Sequence, residues 1–241
     1  MPSVHHTRAL RAQSGLSIVE LLVGITIGLF VLAGATTLVS SQLGDNRKLL
    51  LEMQIHQDLR TVSDIISRDL RRAGYWGNAT NLVWPESKVL VGGELSNGYQ
   101  AVFTDTGAGG RPQLNYALSS ATSALPENNV KDSNEEFGFA WNSPAGTIEM
   151  RVGASGWQAL TDSNVVNIIN VGLTLTEHEL LVPCVKPCLL GVSNTDCWPR
   201  QKVRHIAVLV TGQARHDASV VRSVQTGVRV RNDSVQGVCP T

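Results

Sequence analysis

The chain has 241 residues, with 20 Lys and Arg against 20 Asp and Glu and 42% hydrophobic residues. This composition is typical of a folded globular domain and excludes a disordered chain, and the absence of a recurring period excludes a solenoid or a propeller. The zero net charge is unevenly spread, because residues 75–199 are acidic and residues 200–241 are basic. This asymmetry fits either pairing between neighbouring copies or two solvated faces of one domain.

The N-terminal part of the chain has the pattern of a membrane segment. Residues 1–15 contain two arginines and no acid, and residues 16–39 are apolar with Glu20 as the only charge. At about 1.5 Å per residue, such a helix reaches about 36 Å, which is enough to cross a bilayer core of about 30 Å. Positive charge before the run places the leader in the cytoplasm and the rest of the chain outside. We therefore predict a membrane-spanning helix over residues 16–40.

Glu20 needs an explanation, because a carboxylate inside a lone membrane helix costs roughly 2.5 to 3.5 kcal/mol. A cleaved secretory signal would have a shorter apolar run than this one. Residues 33–36 are a possible cleavage site for such a signal, but a poor one. A plain signal anchor explains the length of the run and leaves Glu20 without a partner. A cut between Gly15 and Leu16 would instead create a free amine one helical turn from Glu20. In a bundle of identical helices, Glu20 of one copy would then neutralise the amine of the next.

The residues around this proposed cut carry a family resemblance. Residues 15–20, GLSIVE, resemble the class III signal of type IV pilins and pseudopilins: a glycine, an apolar residue, and a glutamate four positions later. The resemblance implies that residues 1–15 are a leader, that a prepilin peptidase cuts between Gly15 and Leu16, and that it methylates the new amine of Leu16. It also implies that Glu20 docks the subunit on its neighbours.

The apolar pattern continues past the membrane segment. Within residues 45–74 the spacings between apolar residues are those of an amphipathic helix, over Leu51, Ile55, Leu59, Val62, Ile66, Leu70 and Ala73. Gly74 is predicted to end this helix, and no proline interrupts residues 16–74. We expect residues 41–74 to pack on a sheet of the same chain. A coiled-coil dimer is the alternative, but the heptad pattern lasts only about three repeats.

The residues at the end of this helix resemble one particular family of type IV pilins. Residues 66–78, ISRDLRRAGYWGN, resemble a segment of the PilW family of minor type IV pilins, and residues 27–34, IGLFVLAG, are similar to that family as well. The resemblance covers about residues 14–78. It implies an α+β, type IV pilin-like fold, in which a long N-terminal helix packs on an antiparallel β-sheet domain formed by residues 75–241. From the residues themselves, positions 73–76 predict a helix stop followed by aromatic packing.

Short apolar segments between Gly, Pro, Asn and Ser predict strands after residue 74. They fall at residues 88–92, 100–104, 147–152, 165–169, 171–176, 203–211 and 220–231. In the segment 203–211, Ile206, Val208 and Val210 share one face, which predicts the strongest strand. Residues 104–146 are rich in Gly, Ser, Asn and Pro, and we expect a long loop or a loosely ordered excursion there.

The four cysteines, Cys184, Cys188, Cys197 and Cys239, all lie in the last quarter of the chain. Outside the cytoplasm they predict two disulfides, because a zinc site needs four ligands in close pairs. Of the three possible pairings we favour Cys184–Cys188 with Cys197–Cys239. The acidic segment 132–136 is expected to be a solvated loop rather than a calcium site. We expect no metal, no cofactor and no catalytic residues, since no nucleophile and base stand at motif spacing.

The resemblance therefore implies a non-enzymatic protein of the type IV pilus. Such a minor pilin is held in the inner membrane as a single-pass protein with a periplasmic domain, and then moves to the pilus at the cell surface. Its expected partners are prepilin peptidase, other minor pilins, the major pilin and the inner-membrane assembly machinery, and its expected role is to prime pilus assembly.

Two alternatives to the pilus role stay open. A minor pseudopilin of a type II secretion system would have the same architecture. A pilus-tip module that binds DNA or a surface through the arginines of residues 200–231 ranks last, because aromatic residues are sparse there and phosphate contacts alone would carry the binding.

Overall fold

The computed structural model describes residues 15, 17–77, 98–107, 110–120, 126–128, 130–189, 191–237 and 239–240. A long helix comes first, and β-strands with one short helix follow. In chain order the elements are α1 (Ile18–Leu70), β1 (Val102–Thr106), β2 (Pro112–Ala117), β3 (Glu136–Asn142), β4 (Thr147–Val152), β5 (Trp157–Ala159), β6 (Val166–Leu181), α2 (Asn194–Cys197), β7 (Arg200–Ala214), β8 (Val221–Arg229) and β9 (Ser234–Gln236).

The chain divides into two units, Met1–Leu49 and Leu50–Thr241. In the second unit, two antiparallel sheets follow the helical residues. The first is a meander in the order β1-β2-β3-β4-β5, and the second has the order β6-β7-β8, with β9 also pairing with β7. A long N-terminal helix followed by antiparallel sheets confirms the predicted α+β, type IV pilin-like fold.

The core of the second unit lies between one face of α1 and the two sheets. The predicted apolar stripe of α1 is buried, with Leu59 and Leu70 fully inaccessible, and only Leu51 at its start is partly exposed. It belongs to one cluster with apolar side chains of the central strands, Leu114, Phe139, Ile148, Ile206, Val208 and Val210. Gly212 on β7 permits this close packing, since a Cβ there would lie 2.6 Å from Val166 Cγ2 and 3.1 Å from Leu59 Cδ2.

The end of α1 is tied to both sheets. Gly74 has a φ of 75°, which favours glycine, and its N–H donates to the carbonyl of Ala117 in β2 at 2.8 Å. After β8, the Asn232 side chain donates to the carbonyl of Ala73 at 3.0 Å. The helix stop at Gly74 is confirmed. The aromatic packing holds for Trp76, which is buried, but not for Tyr75, which is 48% exposed.

Most predicted strands are present. Residues 147–152 are β4, residues 100–104 overlap β1, and the segments 203–211 and 220–231 correspond to β7 and β8. The segments 165–169 and 171–176 form one strand, β6, with an irregularity between Ile168 and Asn170. The predicted segment 88–92 lies outside the described residues.

The expected long loop over residues 104–146 is wrong, because β2 and β3 lie within it. These strands pair with each other and place Leu114 opposite Phe139 and Tyr116 opposite Phe137. The stabilisation comes from these cross-strand contacts and from burial of Leu114 and Phe139 in the core. Local composition rich in Gly, Asn and Ser does not reveal contacts of this kind.

The favoured cysteine pairing is also wrong. The structure joins Cys184 to Cys239 and Cys188 to Cys197, with Cα–Cα distances of 5.5 and 6.0 Å. The reason is the sheet topology. β6 and β9 both run antiparallel to β7, and Arg200 on β7 is paired with the last residue of each. The chain therefore leaves both strands at the same end of the sheet, which brings Cys184 and Cys239 together.

Candidate processing and assembly site

The residues of the predicted processing signal lie at the start of α1. Gly15 is exposed and precedes the helix, Leu16 lies outside the described residues, and α1 begins at Ile18. The carbonyl of Ser17 accepts the N–H of Leu21 at 3.1 Å, so the hydrogen bonding of the helix starts directly after the predicted cut. Glu20 is exposed in the first turn, where an acid is favoured by the positive end of the helix dipole.

The first part of α1 presents apolar side chains in every direction. Phe30 is 82% exposed, and large apolar residues on all sides of the helix from Ile18 to Leu43 are at least half exposed. Within the described part of the chain, α1 is the single helix long and apolar enough to cross a membrane, and the crossing stretch has no residue buried in its own fold. An N-terminal helix of this kind fits a single-pass membrane anchor with a C-terminal domain.

The threonine hydroxyls inside this apolar stretch are satisfied locally. The hydroxyls of Thr26, Thr36 and Thr37 donate to the carbonyls three residues earlier at 2.8 to 2.9 Å. Such bonds let hydroxyls enter an apolar solvent at low cost. Glu20 is the only charged residue among residues 16–39, and none of the ion pairs between described residues includes it.

The arginines of residues 200–231 do not form a continuous basic stripe. Arg200, Arg222 and Arg229 are each paired with a carboxylate, those of Glu179, Glu52 and Asp233. Arg204 is 2% exposed and donates to the carbonyl of Asn232, and burial lowers the pKa of its guanidinium. Most of these arginines therefore bind groups of the same chain, which weakens the alternative that they bind nucleic acid.

The acidic segment 132–136 is less solvated than expected. Glu135 is 5% exposed and accepts hydrogen bonds from the Tyr99 hydroxyl at 2.6 Å and from the N–H groups of Ser120 and Asp132. Burial acts to raise its pKa, but these hydrogen bonds outweigh burial and lower it. Among the described residues, no three His, Cys, Asp or Glu side chains are placed to hold a metal ion together.

The fold and the exposed helix define the class of the protein. An exposed apolar N-terminal helix followed by an antiparallel β-sheet domain is the arrangement of type IV pilin-like proteins, which are structural subunits. The family model of prepilin peptidase-dependent protein B matches residues 48–230, about three quarters of the sequence. The chain belongs to this family. No curated protein and no solved structure gives a significant match.

The family match and the processing signal are separate observations. The match begins at residue 48, whereas the signal occupies residues 15–20. Two non-overlapping parts of the chain thus point to the same enzyme, prepilin peptidase. The match supports a type IV pilin-related, non-enzymatic protein and does not distinguish a minor pilin from a pseudopilin.

Proposed function

We propose that this protein is a minor pilin of a type IV pilus, similar in role to the PilW family, that primes pilus assembly together with other minor pilins. Prepilin peptidase cuts between Gly15 and Leu16 and methylates the amine of Leu16. The apolar part of α1 holds the subunit in the inner membrane, with residues 75–241 in the periplasm. The same surface then packs against the helices of the major pilin and other minor pilins when the assembly machinery moves the subunit into the filament.

The observation that carries this proposal is the position of the signal relative to the helix. Gly15 precedes α1 and Glu20 lies in its first turn, and the apolar surface that follows is left exposed by the residues that the structure describes. A cut after Gly15 leaves the whole apolar surface on the mature subunit. A cut after the helix would remove it. Only the first product can use the helix for assembly.

The cleavage is tested on the protein extracted from membranes. Mass spectrometry of its N-terminal peptide is expected to find N-methyl-leucine at position 16. The Gly15→Val variant is expected to keep its leader, since the peptidase would meet a branched side chain at the cut. An intact N-terminus at Met1 in the unsubstituted protein, or a cut near residue 35, would reject the proposed processing.

The role of Glu20 is tested by the Glu20→Gln variant, which keeps the size of the side chain and removes its charge. We expect cleavage to continue while incorporation into pili falls by about tenfold or more, because the amine of the neighbouring subunit stays unpaired in an apolar environment. Asp45→Asn is the matched control, as it removes a carboxylate farther along the same helix. Equal pilus content for Glu20→Gln and the unsubstituted protein would contradict the docking role.

The pseudopilin alternative shares the same processing, so a different measurement separates the two. Deletion of the gene is expected to remove or reduce surface pili and leave protein secretion unchanged. Loss of secretion with normal piliation would instead assign the protein to a type II secretion system.

A further inference from the structure

The loop of residues 182–199 joins β6 to β7 and is held by both disulfides. The bond between Cys188 and Cys197 closes the loop on itself. The bond between Cys184 and Cys239 fixes the start of the loop to the C-terminal segment. The loop is therefore held in shape by covalent bonds rather than by burial in the core. We call it the cystine loop.

The cystine loop lies beyond the end of α1. Leu59 lies close to Gly212 on β7. Gly74, just after the helix, lies close to Arg204, so α1 and β7 run in opposite directions. The strand begins four residues before Arg204, which places the loop about 13 Å farther along at about 3.3 Å per residue. The loop thus leaves the sheet at the end opposite to Leu50, where this unit begins.

The surface of the cystine loop is apolar. Val185 is 103% exposed and Leu189 is 84% exposed, and Val192 is exposed as well. Outside α1, the first two are the most exposed large apolar side chains among the described residues. We call these three residues the apolar tip. The loop contains one basic and one acidic residue, Lys186 and Asp196, so it has no net charge.

The backbone beside the apolar tip is supplied with partners by the loop itself. Pro183 and Pro187 have no N–H to satisfy. The N–H of Cys188 donates to the side chain of Asn194 at 3.0 Å, and the N–H of Val192 donates within the loop at 2.9 Å. A bilayer requires such internal bonds, because its apolar region offers no acceptor to a free N–H. A protein partner does not require them, since it can supply acceptors of its own.

We propose that the apolar tip inserts into a lipid bilayer other than the one that α1 spans. Its side chains enter the boundary between headgroups and acyl chains, roughly 5–10 Å deep, while the ammonium group of Lys186 stays among the headgroups. The carbonyl of Lys186 accepts the indole N–H of Trp198 at 3.3 Å, so this carbonyl also keeps its partner in the bilayer. Because the loop has no net charge, insertion depends on apolar area and not on anionic lipid.

The apolar tip fits a bilayer better than a protein surface. A stable protein interface uses about 20–30 residues on each side, whereas the tip offers three exposed apolar side chains. The exposure of Val185 and Leu189 also means that they protrude and do not form a flat patch or a groove. A fluid bilayer closes around protruding side chains of any shape, whereas a protein needs a complementary pocket.

Vesicle capture tests the proposal on the full chain. The chain is reconstituted through α1 into biotinylated phosphatidylcholine vesicles on a streptavidin surface, and protein-free fluorescent phosphatidylcholine vesicles are then added. We expect the surface to retain the second vesicles. Retention should be similar when the second vesicles are an equal mixture of phosphatidylcholine and phosphatidylglycerol. It should persist at about 1 M salt, where the screening length is about 3 Å, because apolar insertion is not screened.

A double substitution tests whether the apolar tip carries the capture. Val185→Ser with Leu189→Ser is expected to lower the captured fluorescence by about tenfold or more, because two apolar side chains no longer leave water. The matched control is Val130→Ser with Ile169→Ser, which removes two exposed apolar side chains elsewhere in the same unit and should leave capture unchanged. Both variants keep α1, so any transfer of α1 between vesicles contributes equally. Mass spectrometry checks that both disulfides are intact in each variant.

Tryptophan quenching reports the lipid contact directly. Leu189→Trp places an indole at the apolar tip, and brominated phosphatidylcholine present only in the second vesicles quenches a tryptophan that touches the lipid. We expect more quenching than in the unsubstituted chain, whose five tryptophans set the baseline. Ile169→Trp is the control, since it adds an indole outside the loop that should stay unquenched.

Any one of four outcomes would overturn the proposal. They are the absence of capture, its loss at high salt, an equal loss in the two double variants, and no added quenching in Leu189→Trp. Capture that requires this chain in the second vesicles as well would also overturn it, because the apolar tip would then bind protein. None of these outcomes depends on a cut after Gly15 or on the formation of pili. Failure of the lipid contact and failure of the proposed function are therefore distinguishable.

Discussion

The two parts of α1 use one helix in two different ways. Over residues 18–39 the helix is apolar on all sides apart from Glu20 and its side chains are exposed, as at Leu32, which is 60% exposed. From Leu51 onward an apolar stripe is buried against the sheets, as at Leu59, which is fully inaccessible, while Leu50 and Met53 lie outside the stripe and are exposed. The backbone conformation is the same, and only the surroundings of the apolar side chains differ.

The two parts of α1 therefore obtain their stabilisation from different sources. The stripe of the second part is covered by the chain's own strands, so its burial contributes to the stability of the monomer. Among the residues that the structure describes, none covers the first part, and under the proposed function lipid or the helices of other subunits cover it. Substitutions in the second part should therefore affect folding, and substitutions in the first part should affect insertion or assembly.

The sharpest test of this comparison is a pair of identical truncations. Leu59→Ala is expected to lower the free energy of unfolding of the sheet unit by about 2 to 5 kcal/mol, because it leaves a cavity between α1 and β7. Leu32→Ala is expected to change it by less than about 0.5 kcal/mol. Urea unfolding of the full chain in detergent, followed by tryptophan fluorescence, measures both. Equal effects would mean that the two parts of α1 are not energetically distinct.

A smaller effect is expected where the buried part of α1 ends. Gly74→Ala forces a residue with a Cβ to adopt a φ of 75° and places that Cβ 3.2 Å from the buried guanidinium of Arg204. We expect a loss of about 1 to 2 kcal/mol in the free energy of unfolding. Gly34→Ala is the control, since a Cβ at Gly34 meets nothing within 4 Å. If Gly74→Ala were as stable as Gly34→Ala, the turn after α1 would not depend on glycine.

The smallest effect concerns Asp58, which lies on α1 beside the buried apolar stripe. The pKa of Asp58 is raised by burial and by Asp162, so its charged form opposes folding. Asp58→Asn is therefore expected to raise the free energy of unfolding at pH 7. This gain should shrink as the pH falls through the raised pKa of the folded protein and vanish below the ordinary aspartate pKa of about 3.9. Asp64→Asn, on the exposed side of α1, is the control for unfolding curves recorded between pH 7 and pH 3 at low protein concentration. A gain that is independent of pH would contradict the assignment.

The helix could be read from the sequence in detail, whereas the strands could be read only in part. The spacing of Ile55, Leu59 and Val62 depends on helical periodicity alone, and the structure buries those residues. The strands β2 and β3 were missed because their stability lies in cross-strand pairs such as Leu114 with Phe139, whose partners are far apart in sequence. Local propensity carries little information about such contacts.

The candidate sites, like the secondary structure, could be predicted from the sequence only in part. Gly15, Leu16 and Glu20 form a local signal, recognisable because its residues stand at fixed offsets before an apolar run. By contrast, the N–H of Arg231 donates to the carbonyl of Arg71, and no spacing in the chain indicates that these two residues meet.

The apolar helix, its amphipathic continuation and its end at Gly74 follow from the order of the residues alone, because each depends on neighbours within a few positions. The two-sheet topology, the joining of Cys184 to Cys239 and the meeting of Arg71 with Arg231 become visible only in the folded chain. These contacts join segments that are distant in sequence. They arise when β6 and β9 pair with β7 and when both sheets close on one face of α1.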